Sequence, residues 1–218
     1  MLLHDVVQGE PAWFEIRRGI PTASEASRIL TAGGKPSASQ DAYIAELIDE
    51  IVRPMETRDP EEQAAQFSGN RHTERGHALE PKMRDWLALV TRTDIRTVGF
   101  VTNDSGTAGC SPDSFAYLLD TIAGGVEIKA PEGKKHALWM IGGELPEEHK
   151  QQVHFSMVVT GLSSWRFGSY CPGYKPFHVT VAWDDYTDKM AAELDKFLAR
   201  LAAAKEQFID YLPQQKAA

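Results

Sequence analysis

The feature that most constrains this chain is a change of hydrophobic period along it. Up to about Val90 apolar residues recur at helical spacing, between Ile95 and Ala130 they follow strand spacing, and beyond that the two alternate. Residues 41–53 place Tyr43, Leu47 and Ile51 on one helical face with Ile44, Ile48 and Val52 beside them. A longer helix is predicted from Glu74 to Val90, burying Leu79, Met83, Trp86, Leu87 and Val90. Upstream, Thr22-Ala-Ser-Glu25 has the form of a capping box, opening a helix expected to end at Gly33-Gly34. Residues 55–72 are polar and read as loop or short helix. Ile95–Val101, Thr107–Tyr117 and Gly125–Ala130 read as strands, with Asn103-Asp104-Ser105-Gly106 and Gly124-Gly125 as turns. Helices over 136–141 and 146–159 follow, then strands Ser164–Cys171 and Pro176–Trp183, then a helix from Tyr186 to Leu212. The order α, α, β, β, β, α, β, β, α predicts one α/β (α+β) domain, a central mixed β-sheet flanked by helices. Its parts are a helical region (10–90), a sheet core (95–183) and a C-terminal helix (186–212).

Composition narrows the class. With 218 residues, 42% hydrophobic and 25% charged, the chain suits a single core, and ordinary Gly and Pro contents exclude collagenous and low-complexity classes. No run approaches the ~18 apolar residues of a membrane span. The start, MLLHDVVQGEPAW, lacks the features of a secretory signal. Cys110 and Cys171 lie far apart, which argues against a disulfide framework or a Cys-based zinc site and for a reduced, cytoplasmic protein. A net charge of −8 speaks at first against nucleic acid, but the charge is unevenly spread. From Asp41 to Glu62 eight acids face Arg53 and Arg58, whereas from Arg71 to Arg96 six Arg/Lys face four acids. An acidic outer and a basic inner surface remain compatible with gripping DNA.

The residues with most chemical content are Cys110-Ser-Pro-Asp113 and, after thirteen intervening residues, Glu127-Ile-Lys129. Glu127 and Lys129, two apart on a strand, point to one sheet face. Asp113, Glu127 and the Ile128 carbonyl offer the hard oxygen ligands magnesium prefers, and a nearby ammonium can orient a water. Each half also has a plain structural explanation: an Asp after Ser-Pro caps a turn, and Glu-x-Lys makes a surface ion pair. Together they resemble the PD-(D/E)xK nuclease signature.

Five segments occur in order: Trp13-Phe-Glu-Ile-Arg17-Arg-Gly-Ile-Pro-Thr22-Ala-Ser24-Glu, Arg75-Gly76-His-Ala-Leu-Glu80, Ala108-Gly-Cys-Ser111-Pro-Asp113, Glu127-Ile-Lys129-Ala-Pro131 and Gln151-Gln152-Val-His-Phe-Ser-Met157. This series resembles the phage lambda exonuclease (YqaJ-like viral recombinase) family across roughly residues 10–183. The resemblance implies a restriction-endonuclease-like core in which Asp113, Glu127 and the Ile128 carbonyl bind metal, Lys129 positions the attacking water and Glu80 completes the metal and water shell. It implies that Gln152 orients water or phosphate, with Gln151 as the alternative. It further implies a 5′-phosphate pocket of Arg17, Ser24 and Ser111. Arg17 is a planar donor suited to bidentate phosphate binding, and Ser24 lies near the helix start that Thr22 is expected to cap; without the resemblance Arg17 reads as a surface charge and Thr22 and Ser24 as simple capping. Lys35, in a Gly-rich loop, either touches DNA or is merely solvated.

The chain departs from the family where a second glutamine is replaced by His154, able to donate to phosphate or bind metal, and where Asp104 is offset by one residue from a family acid. His72, His77, His136 and His149 show no zinc spacing, Cys110 is expected to pack in the core, and the five tryptophans read as core or interface anchors. The resemblance implies a Mg2+-dependent (two ions, Mn2+ substituting) 5′→3′ exonuclease on linear double-stranded DNA. It would release 5′-mononucleotides and leave 3′ tails for annealing-type recombination. The implied partners are double-stranded DNA ends and a single-strand annealing protein, in a phage- or prophage-bearing bacterial cytoplasm, with no membrane. A domain of this length has a radius of gyration of ~17 Å and cannot encircle duplex DNA alone, so the family's homotrimeric ring is expected. The alternatives are an endonuclease on the same core and a catalytically idle DNA-end-binding module.

Overall fold

A computed structural model of the chain describes residues 1–54, 57–59 and 71–211. A five-stranded sheet of order β2-β5-β6-β7-β8 organises it: β2 (Asp94–Arg96), β5 (Ser114–Leu118), β6 (Thr121–Lys129), β7 (Ser164–Ser169) and β8 (Phe177–Ala182). All neighbours are antiparallel except β6 and β7, which run parallel because two helices carry the crossover between them. These are α4 (Gly133–Gly142) and α5 (Glu147–Thr160). A smaller sheet joins β1 (Leu2–His4), β3 (Phe100–Thr102) and β4 (Gly109–Cys110). The remaining helices are α1 (Pro11–Arg17), a 3-10 helix (Ala23–Arg28), α2 (Gln40–Val52), α3 (Arg71–Thr91) and α6 (Asp185–Gln207), with a 3-10 turn at Ile209–Tyr211.

The two faces of the large sheet follow from strand alternation. Val126 and Ile128 turn toward α3, where they pack with Met83, Leu87 and Ala116. The opposite face carries the larger core, in which Phe115 and Trp165 meet Val153, Phe155 and Met157 of α5 and Met190, Leu194 and Phe197 of α6. Gly125 is there because Trp165 lies flat on it: a Cβ would stand 2.3 Å from the indole ring.

Several expectations change in detail. The run 95–101 divides between two sheets, β2 pairing with β5 and β3 pairing with β1 and β4, and 107–117 divides likewise into β4 and β5. Strand periodicity does not report which sheet a strand joins. Strand β1 was not expected. The helix foreseen after Thr22 is a short 3-10 turn, and Thr22 makes no side-chain cap. Val90 is 44% exposed, since it lies in the last turn of α3 beyond the Met83 and Leu87 contact. A capping box does form, but at Asp184, whose carboxylate accepts from the Tyr186 and Thr187 amides at the start of α6. The last helix stops at Gln207, which leaves Phe208 outside it. Residues 55–56 and 60–70 of the polar segment, and residues 212–218, lie outside the described residues.

Candidate active site

Strand pairing brings the distant motifs together. Ser114 pairs with Val126, and the Asp113 N–H donates to the Val126 carbonyl (3.1 Å), so Asp113 stands across from Glu127 despite the thirteen residues between them. The Ile128 N–H donates in turn to Asp113 Oδ2. Glu127, buried, receives two donors on one oxygen: Lys129 Nζ at 2.6 Å and Gln152 Nε2 at 2.7 Å. Helix α5 thus presents Gln152, not Gln151, to the strand. Gln151 faces the loop after the 3-10 helix, its amide oriented to accept from the Ala32 N–H (3.0 Å) and donate to the Glu147 carbonyl (3.2 Å).

Helix α3 holds the frame. Arg84 Nε donates to Ser114 Oγ (3.0 Å) at the head of β5, and Arg75 donates to the Ala130 and Pro131 carbonyls (3.0 and 3.1 Å) just past Lys129. These two basic residues therefore brace the strands. The acids of α2 are similarly occupied: Asp41 pairs with Arg200, Glu46 with Arg28, and Asp49 with Arg53 and Arg58. Asp41 and Glu46 stay exposed in these pairs, so the segment still faces outward, with part of its charge locally matched. Of the eight acids counted there, Glu56, Glu61 and Glu62 lie outside the described residues.

A cleft of about 700 Å³ opens over the cluster, lined by Asp113, Ile128 and Lys129 together with Glu80, Trp139 and His149. Burial, then the neighbouring Glu127 charge, drive the Asp113 carboxyl well above the ordinary carboxylate range, with Glu80 adding to the effect. Burial works against the Lys129 ammonium, but Glu127, Asp113 and Glu80 outweigh it and hold its proton more tightly than in a free lysine. Two carboxylates in one dry site are short of positive charge, and the donor set of Asp113, Glu127 and the Ile128 carbonyl suits a hard divalent ion. Among the described residues no three His, Cys, Asp or Glu side chains converge on one point.

The N-terminal motif forms a second cluster. Arg17 stacks over Trp13 (3.8 Å to the ring centroid), and its Nη2 reaches Thr22 Oγ1 (3.4 Å) and Ser24 Oγ (3.5 Å). Thr22 and Ser24 hydroxyls lie 3.2 Å apart, and Trp13 Nε1 donates to Ser111 Oγ (2.9 Å). The structure thus brings Arg17, Thr22, Ser24 and Ser111 together around Trp13. Thr22 faces Arg17 in place of capping. Trp13, read from sequence as an anchor, is the plate that orients the guanidinium. Lys35 is set apart on an exposed Thr31–Lys35 turn.

The structure also places the residues whose roles the sequence left open. His154 faces α6, not the cleft: Nδ1 lies 2.7 Å from Thr187 Oγ1 and the ring packs on Tyr186. Asp104 pairs with the N-terminal amino group on an exposed turn. Cys110 is buried, as expected, and both cysteines are free thiols. His136 is satisfied in the core by Ser169 Oγ and the Lys175 carbonyl. His149, by contrast, lines the cleft between Phe167 and Trp139 with Nε2 buried and unpartnered among the described residues, and burial lowers its pKa to about 4. The side chains of His72 and His77 lie outside the described residues.

A model of the YqaJ-like viral recombinase domain matches residues 12–163, which hold every one of these motifs. The chain belongs to the YqaJ-like viral recombinase family. No curated protein sequence matches it significantly. Among solved structures, the Laribacter hongkongensis alkaline exonuclease superimposes with a TM-score of 0.71 at 26% identity, covering 92% of this chain and 97% of that one. The same enzyme in complex with dAMP gives 0.67 at 25% identity, covering 92% and 99%. A phage-related exonuclease from Haemophilus somnus shares the fold (TM-score 0.54, 11% identity, 85% and 96% covered).

Proposed function

We propose that this YqaJ-like nuclease is a Mg2+-dependent 5′→3′ exonuclease on linear double-stranded DNA. It releases 5′-mononucleotides and leaves 3′ single-stranded tails for annealing-type recombination. The observation that carries the reading is the proximity of the two clusters. Ser111 belongs to the Arg17 pocket and Asp113 to the carboxylate pair, so at most about 7 Å of chain separates them. A terminal phosphate held at Arg17 would place the first phosphodiester of the strand beside Asp113 and Glu127. The alkaline exonuclease that resembles this chain is known in complex with dAMP, a 5′-mononucleotide.

In this reading Asp113, Glu127 and the Ile128 carbonyl hold one or two magnesium ions, with manganese able to substitute. Bound there, such an ion polarises a phosphoryl oxygen and acidifies water. Lys129 and Glu80 orient the attacking water for in-line displacement, and Gln152 holds Glu127 in its rotamer. Arg17, Thr22, Ser24 and Ser111 bind the 5′-phosphate, while Lys35 contributes at most a peripheral contact. The assembly is a homotrimer working with a single-strand annealing protein in a phage- or prophage-bearing bacterial cytoplasm. Among the described residues no helix is long and apolar enough to cross a membrane.

The test is digestion of linear duplex carrying a label at one end, with 5′-phosphate and 5′-hydroxyl versions compared in magnesium. Mononucleotides from the phosphorylated strand are expected, with the hydroxyl version resisting. Internal fragments, or cutting of closed circles, would replace the reading with an endonuclease. No cleavage would leave a DNA-end-binding module.

A further inference from the structure

Arg17 ends α1, and the turn that follows it is gripped from two sides. The Gly19 N–H donates to Glu50 Oε2 of α2 (2.8 Å), and Lys205 Nζ of α6 donates to the Gly19 carbonyl (2.8 Å). Both polar groups of this one residue are therefore held by side chains from separate helices, an acid on its N–H and an amine on its carbonyl. Gly19 sits at φ +67°, and a Cβ there would stand 2.3 Å from Ile51 Cγ1, so the turn lies flush against α2. One helical face of α2 does more: Tyr43, two turns from Glu50, accepts the Thr22 N–H through its hydroxyl (3.1 Å). The loop 17–22 is thus fastened at Gly19 and at Thr22, and between these points it presents Arg17 and Thr22 to the 5′-phosphate pocket.

We propose that Glu50 and Lys205 are positioning residues for recognition of the 5′-terminal phosphate, clamping the Gly19 peptide so that Arg17 stays stacked on Trp13 and aimed at the pocket. The inference rests on the 5′-phosphate reading above. Glu50 has a second link to the same target, since its charge favours the Arg17 guanidinium against the cost of burial. Lys205 lies 188 residues from Arg17 in sequence, counted as 205 − 17, so the C-terminal helix becomes part of the specificity apparatus although it lies outside the family match at 12–163.

The experiment compares KM and kcat on 5′-phosphorylated and 5′-hydroxyl duplex ends for the full-length protein and its Lys205→Met, Lys205→Arg, Glu50→Gln and Arg17→Ala variants. Met keeps the aliphatic stem and removes the ammonium. Lys205→Met and Glu50→Gln are expected to raise KM for phosphorylated ends about ten-fold while kcat changes less than about two-fold. Both variants should erase most of the phosphate-over-hydroxyl preference, and Lys205→Arg should restore it. The melting temperature and the residual turnover of hydroxyl ends report on folding: a merely structural role would lower the melting temperature and activity on both substrates alike, and that result overturns the clamp. A preference that Arg17→Ala abolishes but both clamp variants retain also overturns it, leaving the 5′-phosphate reading intact. Wild-type protein indifferent to the terminal phosphate removes both.

Discussion

Asp113 is the residue whose environment and chemistry are most at odds. Its carboxyl, driven upward by burial and by Glu127, holds a proton in the fold that it would release in the unfolded chain above its ordinary pKa. Stability therefore falls as pH rises from that ordinary value toward the raised one. The Asp113→Asn variant should melt about 2–5 °C above wild type without metal at pH 7, with the gap narrowing near pH 4. Magnesium should raise the melting point of wild type and leave the variant unmoved. A thermal scan with and without metal checks both. Lys129→Met should lose 100-fold or more of kcat, roughly the contribution of a positioned proton-handling group, with DNA-end affinity retained in a filter-binding assay. His149 behaves oppositely to Asp113. Its pKa of about 4 in the fold lies below the ordinary 6.5, so stability falls as pH drops from 6.5 and the loss is complete below about 4. His149→Phe, which keeps the stacking on Phe167, should flatten that acid decline in urea titrations.

At the scale of elements, the site depends on packing that the motifs do not mention. Gly125→Ala drives a methyl into Trp165 on the strand that carries Glu127. It should cost about 1–3 kcal/mol of unfolding free energy, as overpacking does, and slow cleavage further because β6 shifts. Chemical denaturation together with single-turnover rates separates the two effects. The same scale shows how far the chain was legible. The helices carrying Glu80 and Gln152 were legible in the sequence, but the strand carrying Glu127 and Lys129 only in its second half. Gly124-Gly125, expected as a turn, lie inside β6, where the close approach of β7 and not a turn calls for glycine. The division of 95–101 and of 107–117 between two sheets was not legible, because β2 and β3 share one alternation and differ only in their partners. The expected box at Thr22 failed and an unexpected one formed at Asp184 for a common reason. Capping is a local preference that tertiary surroundings can override, and the Thr22 hydroxyl faces Arg17 and Ser24 instead of the following amides.

For the whole molecule, the expected assembly is a homotrimer, and size-exclusion chromatography with light scattering at micromolar concentration tests it. A monomeric mass would remove the ring from the functional proposal while leaving the site untouched.

By itself the sequence determined the mixed α/β class, the family, and the motifs that hold Asp113, Glu127, Lys129, Gln152, Glu80, Arg17, Thr22, Ser24 and Ser111 as candidates. These are matters of local period and of motif spacing, both written along the chain. Only the tertiary structure decided that Gln152 and not Gln151 meets Glu127, that His154 turns to α6 while His149 lines the cleft, and that Trp13 carries Arg17. It alone revealed Lys205 beside Gly19. Such choices depend on which helix face packs against which strand, and that orientation is set by contacts between residues far apart in the chain.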